Sequence, residues 1–163
     1  MSTIIDTLVT NRTQADVERV RELAAKGFAA MTADEQAEWL AGMKGAYNAS
    51  DLNRVGTALN YLAARLSSIC GRSIAWTAKT DWAVTDIPAA SQAETYRRQI
   101  QDIRDALAYP AGTPDAPQLG RLTYIGANDI ERILALCEDL IVNVAKSFRH
   151  TGAAECAAGG LLT

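Results

Sequence analysis

The residues that could carry out chemistry are few and widely spaced. The sequence contains a single histidine, His150, in a C-terminal segment rich in glycine and alanine, and we expect it to be solvated. One histidine cannot form a multi-histidine metal site, and a Ser-His-Asp triad would have to use this segment. Three cysteines, Cys70, Cys137 and Cys156, include no Cys-x-x-Cys pair. We therefore expect reduced, buried thiols rather than a zinc site or a disulfide framework.

Three acidic pairs have a spacing that could support general acid–base catalysis. They are Asp102 and Asp105, Asp129 and Glu131, and Glu138 and Asp139. All three pairs fall on the polar sides of predicted helices, whereas catalytic pairs need burial to separate their pKa values. We therefore expect solvated carboxylates. A cluster of Arg97, Arg98 and Arg104 could meet a phosphate, but its acidic neighbours favour surface ion pairing.

Phosphate-binding glycine patterns do not occur in the sequence. Neither G-x-x-x-x-G-K-[ST] nor G-x-G-x-x-G is found. Together with the histidine, cysteine and carboxylate patterns, this predicts no catalytic residue, no cofactor-binding residue and no metal ligand. We expect a protein that is not an enzyme.

The composition is typical of a soluble globular protein. The 163 residues are 48% hydrophobic and 21% charged, which suits one domain with its own core. A formal net charge of −3 without long runs of one sign argues against nucleic acid as a partner. No apolar stretch reaches about eighteen residues, and the first residues do not resemble a secretory signal. We expect synthesis in the cytoplasm and no membrane insertion.

Hydrophobic periodicity predicts an all-α fold, a bundle of about five amphipathic helices. Capping boxes, which bind the free amides at helix starts, are predicted at Thr13 with Asp16, Thr32 with Glu35 and Ser91 with Glu94. The predicted helices run from Gln14 to Ala29, Ala33 to Lys44, the cap Ser50 through Ile69, Gln92 to Tyr109 and Gly126 to Phe148. Gly45 is expected to end the second helix.

The third helix has the most regular apolar stripe. Its members are Leu52, Val55, Leu59, Leu62, Leu66 and Ile69, with spacings of 3, 4, 3, 4 and 3. The stripe spans fewer heptads than an autonomous coiled coil needs, so we interpret it as bundle core. The fifth helix has the widest stripe and should lie most centrally. A monomer and a trimer whose long helices pack about an axis would bury the same positions, so periodicity leaves both open.

Two internal segments and the C-terminus interrupt the helical pattern. Residues 71–88 alternate around Ile74, Trp76 and Ala78 and predict a short extended or β-like arm between helices 3 and 4. Residues 109–120 contain proline and glycine and predict a linker. Residues 1–149 are therefore expected to form a single helical domain, followed by a Gly/Ala-rich tail at 150–163.

Interface residues are predicted among aromatic and terminal side chains. They are Trp76, Trp82, Tyr124, Leu161 and Leu162. The two tryptophans flank the polar segment TAKTD outside the predicted helices, and tryptophan is enriched among interface anchors. A large ring can also fill a gap between helix ends, and packing of both rings onto the protein's own helices is the favoured alternative.

Four stretches of the sequence resemble a family of small phage proteins. The stretches are DTLVTNRTQADVERV, MTADEQAEWLAGMKGAYNASDLNRVGTALNYLAARL, KTDWAVTDIP and LTYIGANDIERIL. They are similar to proteins encoded in the tail modules of phages and prophages of Gram-positive bacteria, usually beside tail-fibre or receptor-binding genes. The resemblance extends from about Ile5 to Phe148, while the end GAAECAAGGLLT is less aromatic and less polar than in that group. It implies a virion or tail-structural role and transfers no catalytic residue.

Three functions follow from these observations as hypotheses. The resemblance favours a structural component of a phage tail or tail-like particle, associated with the tail fibre or baseplate. Such a protein would be made in the host bacterial cytoplasm and located in the virion, with other phage tail proteins and further copies of itself as partners. The alternative is a non-virion assembly adaptor or chaperone for a tail fibre. A host-wall-acting enzyme is the least favoured.

Overall fold

The described part of the chain consists of five α-helices, three short 3-10 helices and irregular connections. The computed structural model describes the backbone of residues 3–159 and the side chains of residues 3–148. The α-helices are α1 (Gln14–Lys26), α2 (Ala33–Ala41), α3 (Ala49–Cys70), α4 (Ala90–Asp105) and α5 (Tyr124–Gly159). No strand occurs within this part of the chain. The predicted all-α fold is confirmed.

Side-chain caps determine where α1, α2 and α4 begin. Two of the three predicted capping boxes are confirmed, at Thr13 and Thr32. α4 begins after Ala89, whose amide donates to the Gln92 side chain at 2.9 Å. The box predicted at Ser91 is therefore wrong, because Ser91 already lies inside the helix.

The bounds of α3 and α5 also differ from the prediction. The side chain of Asn48 accepts from the amide of Ser50 at 2.9 Å, so Asn48 caps α3 and Ser50 belongs to its first turn. α5 begins at Tyr124 and continues to Gly159, well beyond the predicted end at Phe148. Much of the predicted Gly/Ala-rich tail therefore has a helical backbone.

α2 ends at Gly42 and not at Gly45. Gly42, with φ 87°, follows α2 and adopts a conformation that favours glycine. The predicted stop at Gly45 is wrong. Gly45 lies against α1 instead, where an added Cβ would come 2.1 Å from the carbonyl oxygen of Asp16. This close approach leaves no room for a side chain.

α3 and α5 run in the same direction. Near the start of both helices, Arg54 donates to Glu131 at 2.8 Å, and further along both helices Arg65 pairs with Glu138 at 2.8 Å. Residue numbers therefore increase together along the two helices. Parallel neighbours cannot be joined by a tight turn, so the chain must return along the bundle between them.

The predicted arm is one of these return segments. Asn60 of α3 contacts the backbone of Ala78, whereas Asn53, two turns earlier, contacts the backbone of Trp82. The arm therefore runs antiparallel to α3 in an extended conformation. Its alternation is as predicted, with Ile74, Trp76 and Ala78 turned inward and the residues between them exposed.

The predicted linker, residues 109–120, is the second return segment, and it is bound to α4. Arg104 donates to the carbonyls of Thr113 and Pro114 at 3.0 and 2.9 Å. The amide of Ala116 donates to Gln101 at 2.9 Å, one turn earlier on α4. The segment therefore runs antiparallel to α4, and this connection is part of the packed structure.

One large core joins α3, α4 and α5. Its fully buried side chains are Val55, Ala58, Leu59, Leu62 and Leu66 of α3, Ile100 and Ile103 of α4, and Ile130, Ile133, Leu134, Cys137 and Ile141 of α5. The α3 stripe is confirmed as core through Leu66, and Ile69 is half-buried at its edge. The stripe therefore packs within the protein.

A second, smaller core lies under α1 and α2. It consists of Leu23, Met31 and Met43, with Val20 and Trp39 packed against it. Ion pairs on its surface join the two helices, including Lys26 with Glu35 at 2.5 Å and Arg19 with Glu38 at 2.8 Å. α1 and α2 thus form a hairpin whose apolar contacts are distinct from those of the main core.

Candidate interaction surface

Two asparagines of α3 bind the backbone of the arm. The side chain of Asn60 accepts from the amide of Ala78 at 2.7 Å and donates to its carbonyl at 3.0 Å. Asn53 makes the same pair of bonds with Trp82, at 2.7 and 2.9 Å. Between them, Gly56 lets the arm approach, because an added Cβ would lie 2.2 Å from the carbonyl oxygen of Lys79. The side-chain amides thus form the hydrogen bonds that a neighbouring strand would otherwise make with the backbone of an extended segment.

This arrangement decides the position of the two predicted interface tryptophans. Trp82 is only 7% exposed and belongs to the main core, with the Lys79 ammonium 4.9 Å from its ring centroid. Trp76 is half-buried, and its indole N–H donates to Asp102 at 2.8 Å. Packing onto the protein's own helices is confirmed for both rings. The core of this chain encloses the Trp82 side chain, and an interface role for Trp82 stays a prediction.

The other predicted interface residues lie elsewhere. Tyr124, the first residue of α5, is half-buried beside a cavity of about 320 Å³ that Arg12 and Arg21 also line. Leu161 and Leu162 lie outside the described residues. The structure therefore brings none of the described interface candidates together into one patch.

A buried charge network, formed by Arg12, Asp51, Arg54 and Glu131, joins the N-terminal segment to α3 and α5. Arg12 donates to Asp51 at 2.7 Å and to Glu131 at 2.6 Å. Arg54 donates to the same two carboxylates, and its nitrogen lies 2.8 Å from the Glu131 oxygen. Two positive and two negative charges balance, so the network is neutral overall. Removing one member would leave a buried charge without its partner.

The prediction that Glu131 is solvated is wrong. Its side chain is 0% exposed, and the amide of Val9 adds a hydrogen bond at 2.6 Å. Glu131 follows Ile130 on α5, and its arginine partner Arg12 is 119 residues away in the sequence. Local spacing therefore contains no signal for its burial.

Two tyrosine hydroxyls form a hydrogen bond beside this network. The Tyr47 and Tyr96 oxygens are 2.7 Å apart, and Arg12 lies 5.5 Å from the centroid of the Tyr47 ring. Burial raises the pKa of both tyrosines well above the ordinary value. Both hydroxyls therefore stay protonated at neutral pH and serve as a neutral polar contact between the segment just before α3 and α4.

The remaining charged candidates make structural contacts. Asp102 accepts from Trp76, and Glu138 pairs with Arg65. Arg97 pairs with Glu94 at 2.6 Å on the surface of α4, as predicted for the arginine cluster. Asp102 and Glu138 thus connect different elements of the fold, whereas the Arg97–Glu94 pair lies within α4.

An apolar groove opens between the end of α2, the start of α3 and the end of the arm. This α2–arm groove has a volume of about 430 Å³. Its walls include Trp39 and Leu40 of α2 and Val84 and Pro88 of the arm. Leu40 is 74% exposed, Val84 95% and the adjacent Ile87 90%. Three large aliphatic side chains thus face solvent at or beside one concave surface.

No protein-family model, curated protein or solved structure matches this chain. Sequence reasoning missed Val84 and Ile87, although two aliphatic residues in the polar stretch AVTDIP were an available signal. Leu40 lies one residue before the end of α2 and extends beyond the small core.

The described residues contain no group of three or more His, Cys, Asp or Glu side chains arranged to hold a metal ion. Among them, no helix is both long and apolar enough to cross a membrane. Cys70 and Cys137 are free thiols, the former half-buried and the latter buried, while the side chain of Cys156 lies outside the described residues.

Proposed function

We propose that this protein is a structural component of a phage tail or tail-like particle, associated with the tail fibre or baseplate, and that it acts through protein–protein contacts. The observation that carries the contact role is the α2–arm groove with its exposed Leu40, Val84 and Ile87. The particle is inferred from the resemblance of most of the chain to tail-module proteins.

The chemistry of the groove fits an apolar segment of another protein. Fully burying an aliphatic side chain contributes roughly 1.5–3 kcal/mol, so covering Leu40, Val84 and Ile87 would contribute several kcal/mol to association. Contiguous exposed apolar side chains often mark binding surfaces. Among the described residues that line the groove, Asp86 is the only charged one, so apolar contact would dominate binding there.

The charged residues support a non-catalytic role. Glu131 is fully engaged by two arginines, and Asp102 is bound to an indole N–H. A general acid or base must reach a substrate proton, and each of these carboxylates is instead part of the internal packing. We therefore propose that the acidic residues stabilise the fold on which the groove is built.

Particle composition tests the proposal. Phage or tail-like particles would be induced from a strain that carries the gene, purified on a density gradient and analysed by quantitative mass spectrometry. A structural component is present at a fixed copy number per particle. If the protein is required for fibre attachment yet missing from finished particles, it is the adaptor or chaperone. If particles from a deletion strain are normal in composition and infectivity, the proposal fails.

Groove variants then test the surface. Leu40→Glu and Val84→Glu should prevent incorporation into particles, because a carboxylate would be desolvated on binding. Ile125→Glu is the matched control, since Ile125 is 56% exposed at the start of α5 and does not line the groove. If Leu40→Glu and Val84→Glu were incorporated as efficiently as the unaltered protein and the Ile125→Glu control, the groove would be excluded as the contact surface.

A further inference from the structure

A cavity lies where α1, the segment just before α3 and the start of α5 meet. This α1–α5 cavity has a volume of about 320 Å³, which suits a small ligand. Arg12 and Arg21 are the charged residues among the described residues that line it, and none of these lining residues is acidic. The charge of the lining is therefore complementary to an anion.

Arg21 is a cation of this cavity that no carboxylate neutralises. Its side chain is exposed on α1 and forms no hydrogen bond or ion pair with any described residue. Arg19, two residues earlier on the same helix, pairs instead with Glu38 at 2.8 Å. Glu18 accepts from Gln14 at 3.1 Å and leaves Arg21 unpaired. The planar guanidinium of Arg21, which suits the oxygens of phosphate, is therefore available to a ligand.

Arg12 adds an unsatisfied donor to the wall of the cavity. The residue is 4% exposed, and its two terminal nitrogens bind Val9, Asp51 and Glu131. Its Nε is also buried but has no hydrogen-bond partner among the described residues. Buried polar groups nearly always have a partner, so an unpaired donor on this wall points to an acceptor that binds there.

The start of α5 supplies backbone donors to the same cavity, which Thr123, Tyr124 and Ile125 line. The amide of Gly126 donates to the Thr123 side chain at 3.2 Å, and the amide of Ala127 donates to the Thr123 carbonyl at 2.9 Å. The amides of Tyr124 and Ile125 have no acceptor among the described residues. Free amides and the helix dipole favour an anion at this end of a helix.

The arrangement of the donors indicates which anion fits. They come from three parts of the chain, namely the N-terminal segment, α1 and the start of α5. A tetrahedral oxyanion presents oxygens in several directions, whereas the two oxygens of a carboxylate lie in one plane. We propose that the α1–α5 cavity binds a phosphate group, through Arg21 and the first amides of α5, with Arg12 in the wall behind it.

Isothermal titration calorimetry of the full chain at constant ionic strength tests this inference. Inorganic phosphate should bind saturably, and Arg21→Gln should raise its dissociation constant by about tenfold or more, because a charge-assisted contact is lost. Arg98→Gln is the matched control, since Arg98 is also exposed, carries the same charge and does not line the cavity. It should leave the dissociation constant unchanged. Circular dichroism would verify that both variants stay folded.

Two-dimensional NMR of the same titration locates the bound phosphate. The amide resonances of Tyr124 and Ile125 should shift with the dissociation constant that calorimetry gives, whereas that of Thr95 on α4 should not. Shifts confined to residues outside the cavity would contradict the assignment.

Two further ligands test the chemistry of the site. Acetate should bind more weakly than inorganic phosphate, because it has two coplanar oxygens. Phenyl phosphate distinguishes the source of the phosphate group, since Val17 and Leu122 also line the cavity and would contact an organic part. Tighter binding than that of inorganic phosphate supports a phosphate monoester as the ligand, and equal binding supports the free anion.

Three results would overturn the inference. They are an absence of saturable phosphate binding, equal weakening by Arg21→Gln and Arg98→Gln, and binding of acetate as tight as that of phosphate. Particle incorporation through the α2–arm groove does not depend on this cavity, so the proposed function fails or survives separately.

Discussion

Replacing Asn60 with alanine tests whether side-chain amides hold the arm in place. The variant removes two hydrogen bonds, of 2.7 and 3.0 Å, and leaves the amide and carbonyl of Ala78 unpaired at a residue that is 5% exposed. A lost hydrogen bond costs about 1 kcal/mol, and a stranded buried group about 1–3 kcal/mol. The higher helix propensity of alanine returns about 0.5 kcal/mol. We expect a net loss of roughly 2–3 kcal/mol in the free energy of unfolding.

Urea unfolding followed by circular dichroism measures this loss, and hydrogen exchange with mass spectrometry locates it. Exchange in the peptide that contains Ala78 and Trp82 should accelerate, because their amides lose protection when the arm detaches. Thr57→Ala is the matched control on the exposed side of α3 and should change stability by less than about 0.5 kcal/mol. Asn60→Asp retains the acceptor and loses the donor, so its loss of stability should lie between those of Thr57→Ala and Asn60→Ala. If Asn60→Ala matched the control in both measurements, the reasoning would be refuted.

Further predictions concern close contact, buried charge, pH and thiol reactivity. Gly56→Ala should destabilise the protein by more than about 2 kcal/mol in urea unfolding, since its Cβ would lie 2.2 Å from the Lys79 carbonyl oxygen. Gly120→Ala is the control and should change stability very little, because the space around Gly120 is open. Glu131→Gln should lower the free energy of unfolding by about 3–5 kcal/mol, because Arg12 and Arg54 lose a carboxylate partner. Asp129→Asn is its control. Equal stabilities of the two variants would contradict the role of the network. Hydrogen bonds from Lys26 and from the amide of Thr32 lower the pKa of Glu35 from 4.5 to about 2. The stabilisation that ionised Glu35 provides is therefore present above pH 4.5 and is lost as the pH falls towards 2. In that range, Trp39 fluorescence should report loosening of the α1–α2 hairpin. Glu35→Gln should abolish this step. Burial raises the pKa of the Cys137 thiol to about 11, so at pH 8 a thiol reagent should modify the half-buried Cys70 before Cys137, which mass spectrometry can follow. Faster labelling of Cys137 than of Cys70 would contradict the burial of Cys137.

The helical core could be predicted because it depends on local periodicity. Leu59 and Leu62 lie at spacings that place them on one side of a helix, and that side is buried. Thr13 and Thr32 were recognisable as caps for the same reason, since a capping box is complete within four residues. In each case, the residues that determine the structure are close together in the sequence.

The contacts of the arm and of the buried charges depend on distant residues. Asn53, Gly56 and Asn60 repeat at spacings of 3 and 4 beside the leucine stripe, which was an available signal for a second contact face on α3. Polar residues at such positions are usually solvated, so the pattern alone does not identify what they bind. Glu131 shows the same limit, because only the tertiary fold places it beside Arg12.

The parallel course of α3 and α5 has a consequence for folding speed. Helices joined by tight turns meet neighbours that are close in sequence, which permits rapid folding. Here the helices that share the main core meet across long separations, since Arg54 and Glu131 are 77 residues apart. The chain must close a large loop before its leucine stripe is covered, and that closure carries an entropy cost. This protein should therefore fold more slowly than an up-and-down bundle of the same length, with its uncovered helices exposed to other chains in the meantime.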